Sequence, residues 1–97
     1  MWILRASEAS RSLTFRLASG MARTLGRAPT ADFILNVALV SRVHCRIVAT
    51  DDALDVEDLS STNGTFLNNQ RIDHGKATSG DRLRIGRVEL MVERGNT

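Results

Sequence analysis

The sequence predicts an all-β protein, an antiparallel sandwich or barrel of about ten short strands. Apolar residues alternate with polar ones over most of the chain, turn residues recur at short intervals, and no segment keeps a helical period beyond a turn or two. The chain has 97 residues, 42% hydrophobic and 25% charged, and should form one domain, because smaller pieces could not each bury a core. We expect that domain over residues 1–94 and a frayed tail over residues 95–97.

The strands are predicted from runs of alternating apolar residues. Trp2 and Leu4 share one face of the first strand, and Leu13, Phe15 and Leu17 share a face of the second. The strands predicted after these cover residues 22–26, 33–35, 44–50, 54–59, 65–67, 70–72, 82–85 and 88–93. Residues 73–79 lack a large apolar residue and are predicted to belong to a loop in which His74 is solvated and Ala77 is a poor filler.

Turn signals set the boundaries between these strands. Asn and Gly tolerate positive φ, so Asn63-Gly64 is a strong tight-turn dipeptide. Other turns and loops are predicted at residues 18–20, 28–32, 36–42, 51–52, 80–81 and 86–87. Many short antiparallel strands joined in this way are typical of a sandwich whose loops gather at its ends.

Composition excludes several classes of function. The net charge is only +2, and four aromatic residues offer little for base stacking, so no nucleic-acid partner is expected. The single cysteine, Cys45, can form no internal disulfide and no zinc site, which favours a reducing compartment. No apolar run is long enough to span a membrane, and residues 1–5 do not resemble a signal peptide. We expect no metal, no cofactor and no membrane partner.

Three short motifs carry the functional hypothesis. Arg27 follows a glycine at the end of a predicted strand, Ser41 and Arg42 precede another, and Thr62 and Asn63 lie in the turn after a third. A phosphate group carries nearly two negative charges and three strong acceptors, and this set of guanidinium, hydroxyl and amide donors suits it. A phosphate-binding module is predicted, not an enzyme.

A hydrolase is the catalytic alternative, with Ser41 as nucleophile and His44 as base. No strained Gly-x-Ser-x-Gly turn surrounds Ser41, and Asp58 is the only obvious third partner. His44 is therefore interpreted as a structural residue that holds its loop.

The motifs resemble those of the forkhead-associated (FHA) domain family. The similarity runs through Leu25-Gly26-Arg27, Ser41-Arg42-Val43-His44 and the segment from Asp58 to Phe66, and it continues through Asn68, Gly80-Asp81 and Ile85-Gly86. The resemblance implies an FHA-type β-sandwich of about eleven mostly antiparallel strands that binds phosphothreonine peptides at one end. It also implies an upstream Ser/Thr kinase and a role as an adaptor that recruits phosphorylated partners.

The resemblance also implies roles for individual residues. Arg27 and Ser41 would bind the phosphate, Arg42 would lie beside it, Thr62 would add a hydroxyl or backbone contact, and Asn63 would hold the peptide main chain. Gly64 and His44 would shape the loops, and Asn68 would reach the peptide or steady its loop. Asn69 stands where the family often has Gly, which Asn tolerates because it enters the left-handed region.

Peptide selectivity is predicted from Leu39. In some family members a basic residue at this position selects an acidic residue three positions after the phosphothreonine. Leu39 is apolar and its neighbours Ala38 and Val40 are too, so an apolar or permissive choice is expected there.

The alternative within the same fold is a phosphate-independent interaction or dimerisation module. The intact phosphate-site residues argue against it, because degenerate members tend to lose them. We expect a module, N-terminal to other domains, that works in the cytoplasm, or in the nucleus if the source is eukaryotic.

Overall fold

The computed structural model describes residues 1–8 and 11–95, which form eleven β-strands and no helix. The strands are β1 (Trp2–Glu8), β2 (Arg11–Leu17), β3 (Ala22–Gly26), β4 (Phe33–Ile34), β5 (Cys45–Ala49), β6 (Leu54–Asp58), β7 (Thr65–Leu67), β8 (Gln70–Ile72), β9 (His74–Ala77), β10 (Arg82–Ile85) and β11 (Val88–Arg94). The fold class predicted from the sequence is confirmed. In the part of the chain described, no helix is long and apolar enough to cross a membrane.

Two sheets make up the sandwich. One has six strands in the order β2-β1-β11-β10-β7-β8, and the other has five in the order β4-β3-β5-β6-β9. All the strand pairs are antiparallel except β3 with β4, which run parallel. This single parallel pair agrees with the expected mostly antiparallel arrangement.

Strand alternation produces the core between the sheets. On β5, Cys45, Ile47 and Ala49 are buried while Arg46 is exposed, as expected for a strand with one solvated face. Burial raises the pKa of the Cys45 thiol, so this cysteine is an inert core residue. The largest side chains buried between the sheets are Trp2, Leu4, Leu17, Leu25, Leu35, Ile47, Leu54, Leu83, Ile85 and Leu90.

The loop predicted over residues 73–79 is wrong in part, because it contains β9. This strand pairs with β6, placing Lys76 opposite Asp55 and His74 opposite Glu57. The strand was missed because its inward-facing residues, Gly75 and Ala77, are too small to give an apolar alternation. His74 is exposed as predicted, but it lies in a strand.

Small residues fit on β9 because other side chains fill the space. A Cβ added to Gly75 would lie 3.2 Å from Ile72 Cδ1 and 3.5 Å from Leu67 Cδ2. Ile72 and Leu67 therefore fill the space beside Gly75, and Ala77 is fully buried. At the chain end, the Gly95 amide donates to the Met1 carbonyl at 2.8 Å, and the rest of the expected tail lies outside the described residues.

Candidate functional site

Three connections meet at one end of the sandwich: the loop after β3, the segment between β4 and β5, and the turn between β6 and β7. The Arg27 amide donates to the Ser41 carbonyl at 2.9 Å, and the Ala28 amide donates to the Arg42 carbonyl at 3.0 Å. A Cβ on Gly26 would lie only 2.1 Å from the Arg42 carbonyl oxygen, so only glycine permits this approach. The loops surround a shallow cleft of about 250 Å³, lined by Arg27, Ala38, Leu39, Val40, Ser41, Thr62 and Asn63.

Arg27 is exposed but oriented. Its Nε donates to the Val40 carbonyl at 3.1 Å, which fixes the plane of the guanidinium group. Its two terminal nitrogens make no hydrogen bond within the residues the structure describes, and none of the ion pairs found there includes Arg27. The side chain therefore presents a positive fork of free donors to the cleft.

Ser41 connects two of the loops through its hydroxyl oxygen. That oxygen accepts a hydrogen bond from the Thr62 amide at 3.0 Å. Because the oxygen is the acceptor in this bond, the hydroxyl proton remains available to donate to an anion. The exposed Thr62 side chain lines the same cleft.

His44 is fully buried and holds the site from below. Its Nδ1 accepts from the Ser41 amide at 3.0 Å, which places the proton on Nε2, and Nε2 lies 2.8 Å from the Gly64 carbonyl. Burial lowers the pKa of His44 and outweighs the opposing effects of the Gly64 carbonyl and the Asp58 charge. Both ring nitrogens are occupied by backbone groups, so neither can take a proton from the Ser41 hydroxyl. A Ser41–His44 catalytic pair is incompatible with this geometry.

Asp58 has a role that the sequence reasoning missed. The sequence indicates Asp58 as a third catalytic partner and as the start of the FHA-like segment, with no structural role. Its carboxylate accepts from the Ser61 amide at 3.1 Å, from the Thr65 hydroxyl at 2.7 Å and from the Ser61 hydroxyl. Burial opposes its ionisation, but these hydrogen bonds and the nearby His44 lower the pKa of Asp58 overall. The Ser61 oxygen in turn accepts from the Gly64 amide at 3.1 Å. The spacing of Asp58, Ser61 and Thr65 was the available signal, since Asp and Ser side chains commonly cap turns.

Asn63 ties the β6–β7 turn to the wall of the cleft. Its exposed side chain donates from Nδ2 to the Leu39 carbonyl at 3.0 Å. Leu39 adopts a φ of 75°, which is uncommon for a residue other than glycine, and it is 45% exposed. Held backbone strain of this kind is concentrated at functional sites. No signal in the sequence predicted it.

Four predicted site residues do not line the cleft: His44 and Gly64, described above, and Arg42 and Asn68. Arg42 is exposed but does not line the cleft, although its carbonyl holds the Ala28 amide. Asn68 donates to Asp81 Oδ1 at 3.1 Å and accepts from the Arg82 amide at 3.0 Å. These two hydrogen bonds tie the β7–β8 turn to the start of β10. Asn69 has a φ of 67°, the left-handed conformation expected of it.

No group of three or more His, Cys, Asp or Glu side chains among the described residues is arranged to hold a metal ion. The chemistry of the cleft is that of an anion receptor: one oriented guanidinium, one free hydroxyl proton and an amide-bearing turn, all supported by a buried hydrogen-bond network.

Comparison with known proteins identifies the family whose motifs the sequence resembles. The family model described as the FHA domain matches residues 23–86. Among curated proteins, the chain is 37% identical over 79 residues to the ABC transporter ATP-binding/permease protein Rv1747 of Mycobacterium tuberculosis, covering 81% of this chain. The chain spans less than two thirds of the length of these relatives. The match covers 9% of the length of Rv1747 and 48% of the length of an oxoglutarate dehydrogenase inhibitor of Corynebacterium diphtheriae.

Solved structures extend the similarity to the whole fold. An FHA domain from a structural and functional analysis of phosphothreonine-dependent FHA domain interactions has a TM-score of 0.83 and 30% identity, covering 99% of this chain and 98% of that one. Mycobacterium tuberculosis EmbR in complex with a low-affinity phosphopeptide has a TM-score of 0.80 and 29% identity, covering 99% of this chain and 25% of that one.

Proposed function

This chain belongs to the FHA domain family, and we propose that it binds phosphothreonine peptides in the cleft between its three connecting loops. Its partners would be proteins phosphorylated on threonine by a Ser/Thr kinase, and its role would be that of an adaptor. No step of this function requires a metal or a cofactor.

The observation that carries the proposal is that the donors of Arg27 and Ser41 line the same cleft. The Arg27 fork is oriented by the Val40 carbonyl, and the Ser41 hydroxyl retains its proton after accepting from Thr62. A phosphate dianion would accept from both, and hydrogen bonds to a charged group contribute about 1.5–3 kcal/mol each. In this proposal Thr62 adds a further contact, Asn63 holds the peptide main chain, and Arg42 supplies charge from outside the cleft.

The related structures support phosphothreonine as the ligand. One belongs to a study of phosphothreonine-dependent FHA interactions, and another holds a phosphopeptide. The identity to each is close to 30%, and each covers 99% of this chain. We extend the proposal to a single domain over residues 1–94, within a protein that works where Ser/Thr kinases act, in the cytoplasm or, in a eukaryote, the nucleus.

The test compares Arg27→Ala with the wild-type chain against a degenerate phosphothreonine peptide library, with phosphoserine and unphosphorylated libraries alongside. We expect the wild-type chain to bind only the phosphothreonine pool and Arg27→Ala to bind none of the pools. Arg16→Ala is the matched control. Arg16 is also an exposed arginine, but it lies on the edge strand β2, which does not contribute to the cleft.

Two outcomes would contradict the proposal. Equal binding to all three pools would make this chain a phosphate-independent interaction module. An Arg27→Ala variant that unfolds would make Arg27 a structural residue, and thermal melting of both variants distinguishes that case.

At the peptide position three after the phosphothreonine, we propose an apolar or permissive choice facing Leu39, which a strong aspartate preference would contradict.

A further inference from the structure

A row of cationic side chains extends from the cleft onto the outer face of the six-stranded sheet. Arg84 on β10 is paired with Phe66 on β7, and Phe66 is paired with Arg71 on β8. The Arg84 guanidinium carbon lies 4.0 Å from the centre of the Phe66 ring, a cation–π contact. Arg84 and Arg71, with Phe66 between them, share the outward face of adjacent strands. We call these three residues the cationic row.

Arg71 links this row to the cleft. A Cβ built on Gly64 would lie 3.1 Å from Arg71 Nε and 3.2 Å from Arg71 Cζ, so the guanidinium group rests against the Gly64 backbone. Gly64 directly follows Asn63, which lines the cleft, and its carbonyl lies 2.8 Å from His44 Nε2. A peptide leaving the cleft across the Asn63–Gly64 turn would therefore meet Arg71 first.

Among the residues that the structure describes, no ion pair neutralises the charge of the row. The ion pairs found in the described part of the chain are Arg5–Glu93, Lys76–Asp55 and Arg82–Glu89. Neither Arg71 nor Arg84 takes part in them, and Arg71 is exposed. Within the described part of the chain no carboxylate pairs with the Arg71 guanidinium, so its hydrogen-bond donors are available to a ligand.

We propose that Arg71, supported by Phe66 and Arg84, forms a second subsite that binds an acidic side chain flanking the phosphothreonine. This inference rests on the proposed function and names a feature of its ligand: an acidic residue in the segment that crosses the Asn63–Gly64 turn. A carboxylate suits the site because the planar guanidinium fork binds it with two parallel hydrogen bonds. Phe66 lies between the two arginines in the strand register, and the Arg84 guanidinium packs against its ring.

The test is a set of phosphothreonine peptides in which glutamate is scanned through each flanking position against alanine, titrated against wild type and Arg71→Gln. We expect one position at which glutamate tightens wild-type binding by about fivefold, the upper end of what an exposed ion pair contributes. In Arg71→Gln this gain should disappear, while the affinity for the all-alanine peptide stays unchanged. Arg84→Gln should reduce the gain by a smaller factor, and Arg16→Gln, on the opposite edge of the sheet, should leave it intact.

The outcomes separate this inference from the proposed function. If wild type binds the phosphothreonine peptides but shows no glutamate preference, or if Arg71→Gln keeps the preference, the subsite is wrong and the proposed function stands. If no phosphothreonine peptide binds, both fall. If Arg71→Gln melts at a much lower temperature than wild type, Arg71→Lys takes its place, because it keeps the charge but loses the planar fork. If glutamate tightens binding to Arg71→Lys as much as to wild type, the bidentate subsite is wrong.

Discussion

Ser41 directs its three polar groups to three different partners. Its amide donates to His44, its carbonyl accepts from Arg27, and its hydroxyl oxygen accepts from the Thr62 amide. Only the hydroxyl proton is left for a ligand. The first two bonds use backbone atoms, so removal of the side chain breaks only the contact with Thr62 and leaves the other two bonds in place.

Replacing Ser41 with alanine should therefore affect binding more than folding. We expect phosphothreonine-peptide affinity to fall by about 10- to 100-fold, because one hydrogen bond to a charged group is lost. The unfolding free energy should change by less than about 1 kcal/mol, because the Thr62 amide left behind belongs to an exposed residue that water can reach. Isothermal titration and urea denaturation measure the two quantities. Unchanged affinity would remove Ser41 from the phosphate site.

Single residues also show where sequence reasoning stops. Arg27 and Asn63 could be placed at the site because their motifs are local, and turns of fixed length present them. The role of Asp58 depends on partners three and seven positions away whose orientation only the folded turn defines. The strained φ of Leu39 depends on contacts with segments far along the chain, which no local pattern reveals.

At the scale of elements, the segment between β4 and β5 forms the cleft wall although it has no regular structure. It is held from the side of the core by the turn between β10 and β11. A Cβ on Gly86 would lie 2.6 Å from the Leu39 carbonyl oxygen, the same oxygen that accepts from Asn63. The glycine after β10 is thus required by the shape of the cleft as well as by its φ of 60°.

Gly86→Ala should push this wall out of place. We expect it to lower the unfolding free energy by more than the roughly 1–2 kcal/mol that a left-handed alanine costs, and to weaken peptide binding as well. Gly80→Ala is the matched control, since Gly80 has a φ of 92° but a Cβ there would meet nothing within 4 Å. Gly80→Ala should show the conformational cost alone. Equal effects of the two variants on stability and affinity would contradict a contact-based role for Gly86.

The elements themselves could be predicted wherever large apolar residues alternate, and all but one of the strands were. The exception, β9, turns two small residues inward: Gly75, against which Ile72 and Leu67 pack, and the buried Ala77. Because the inward residues of β9 are small, its sequence shows no alternation of large apolar and polar residues from which a strand could be predicted. Pairing with β6 therefore had to be seen in the structure.

For the whole molecule, the buried network under the cleft makes stability depend on pH. The pKa of His44 is lowered from its ordinary value of 6.5 by burial. Below pH 6.5 the unfolded chain takes up a proton at this position while the folded chain resists it, so acidification favours unfolding. The lowered pKa of Asp58 acts in the same direction below its ordinary value of 3.8.

Unfolding free energy without peptide should therefore fall between pH 7 and pH 5, before carboxylates titrate in number. His44→Gln should be less stable overall but should lose most of this slope, whereas His74→Gln, at an exposed position on β9, should keep it. Chemical denaturation at each pH gives the slopes. Peptide affinity should fall over the same range, because the phosphate also gains a proton near pH ~6. A wild-type slope of zero would show that His44 titrates alike in both states.

The most direct test of the account is a ¹H–¹⁵N titration of the wild-type chain with a phosphothreonine peptide. We predict that the largest shifts fall on residues 27–28, 38–42 and 61–64, with the Arg27 side-chain resonance among them, and that the unphosphorylated peptide causes none. Shifts centred elsewhere, such as on β5, β6 and β9, or equal shifts with and without phosphate, would contradict the assignment of this cleft as the phosphothreonine site.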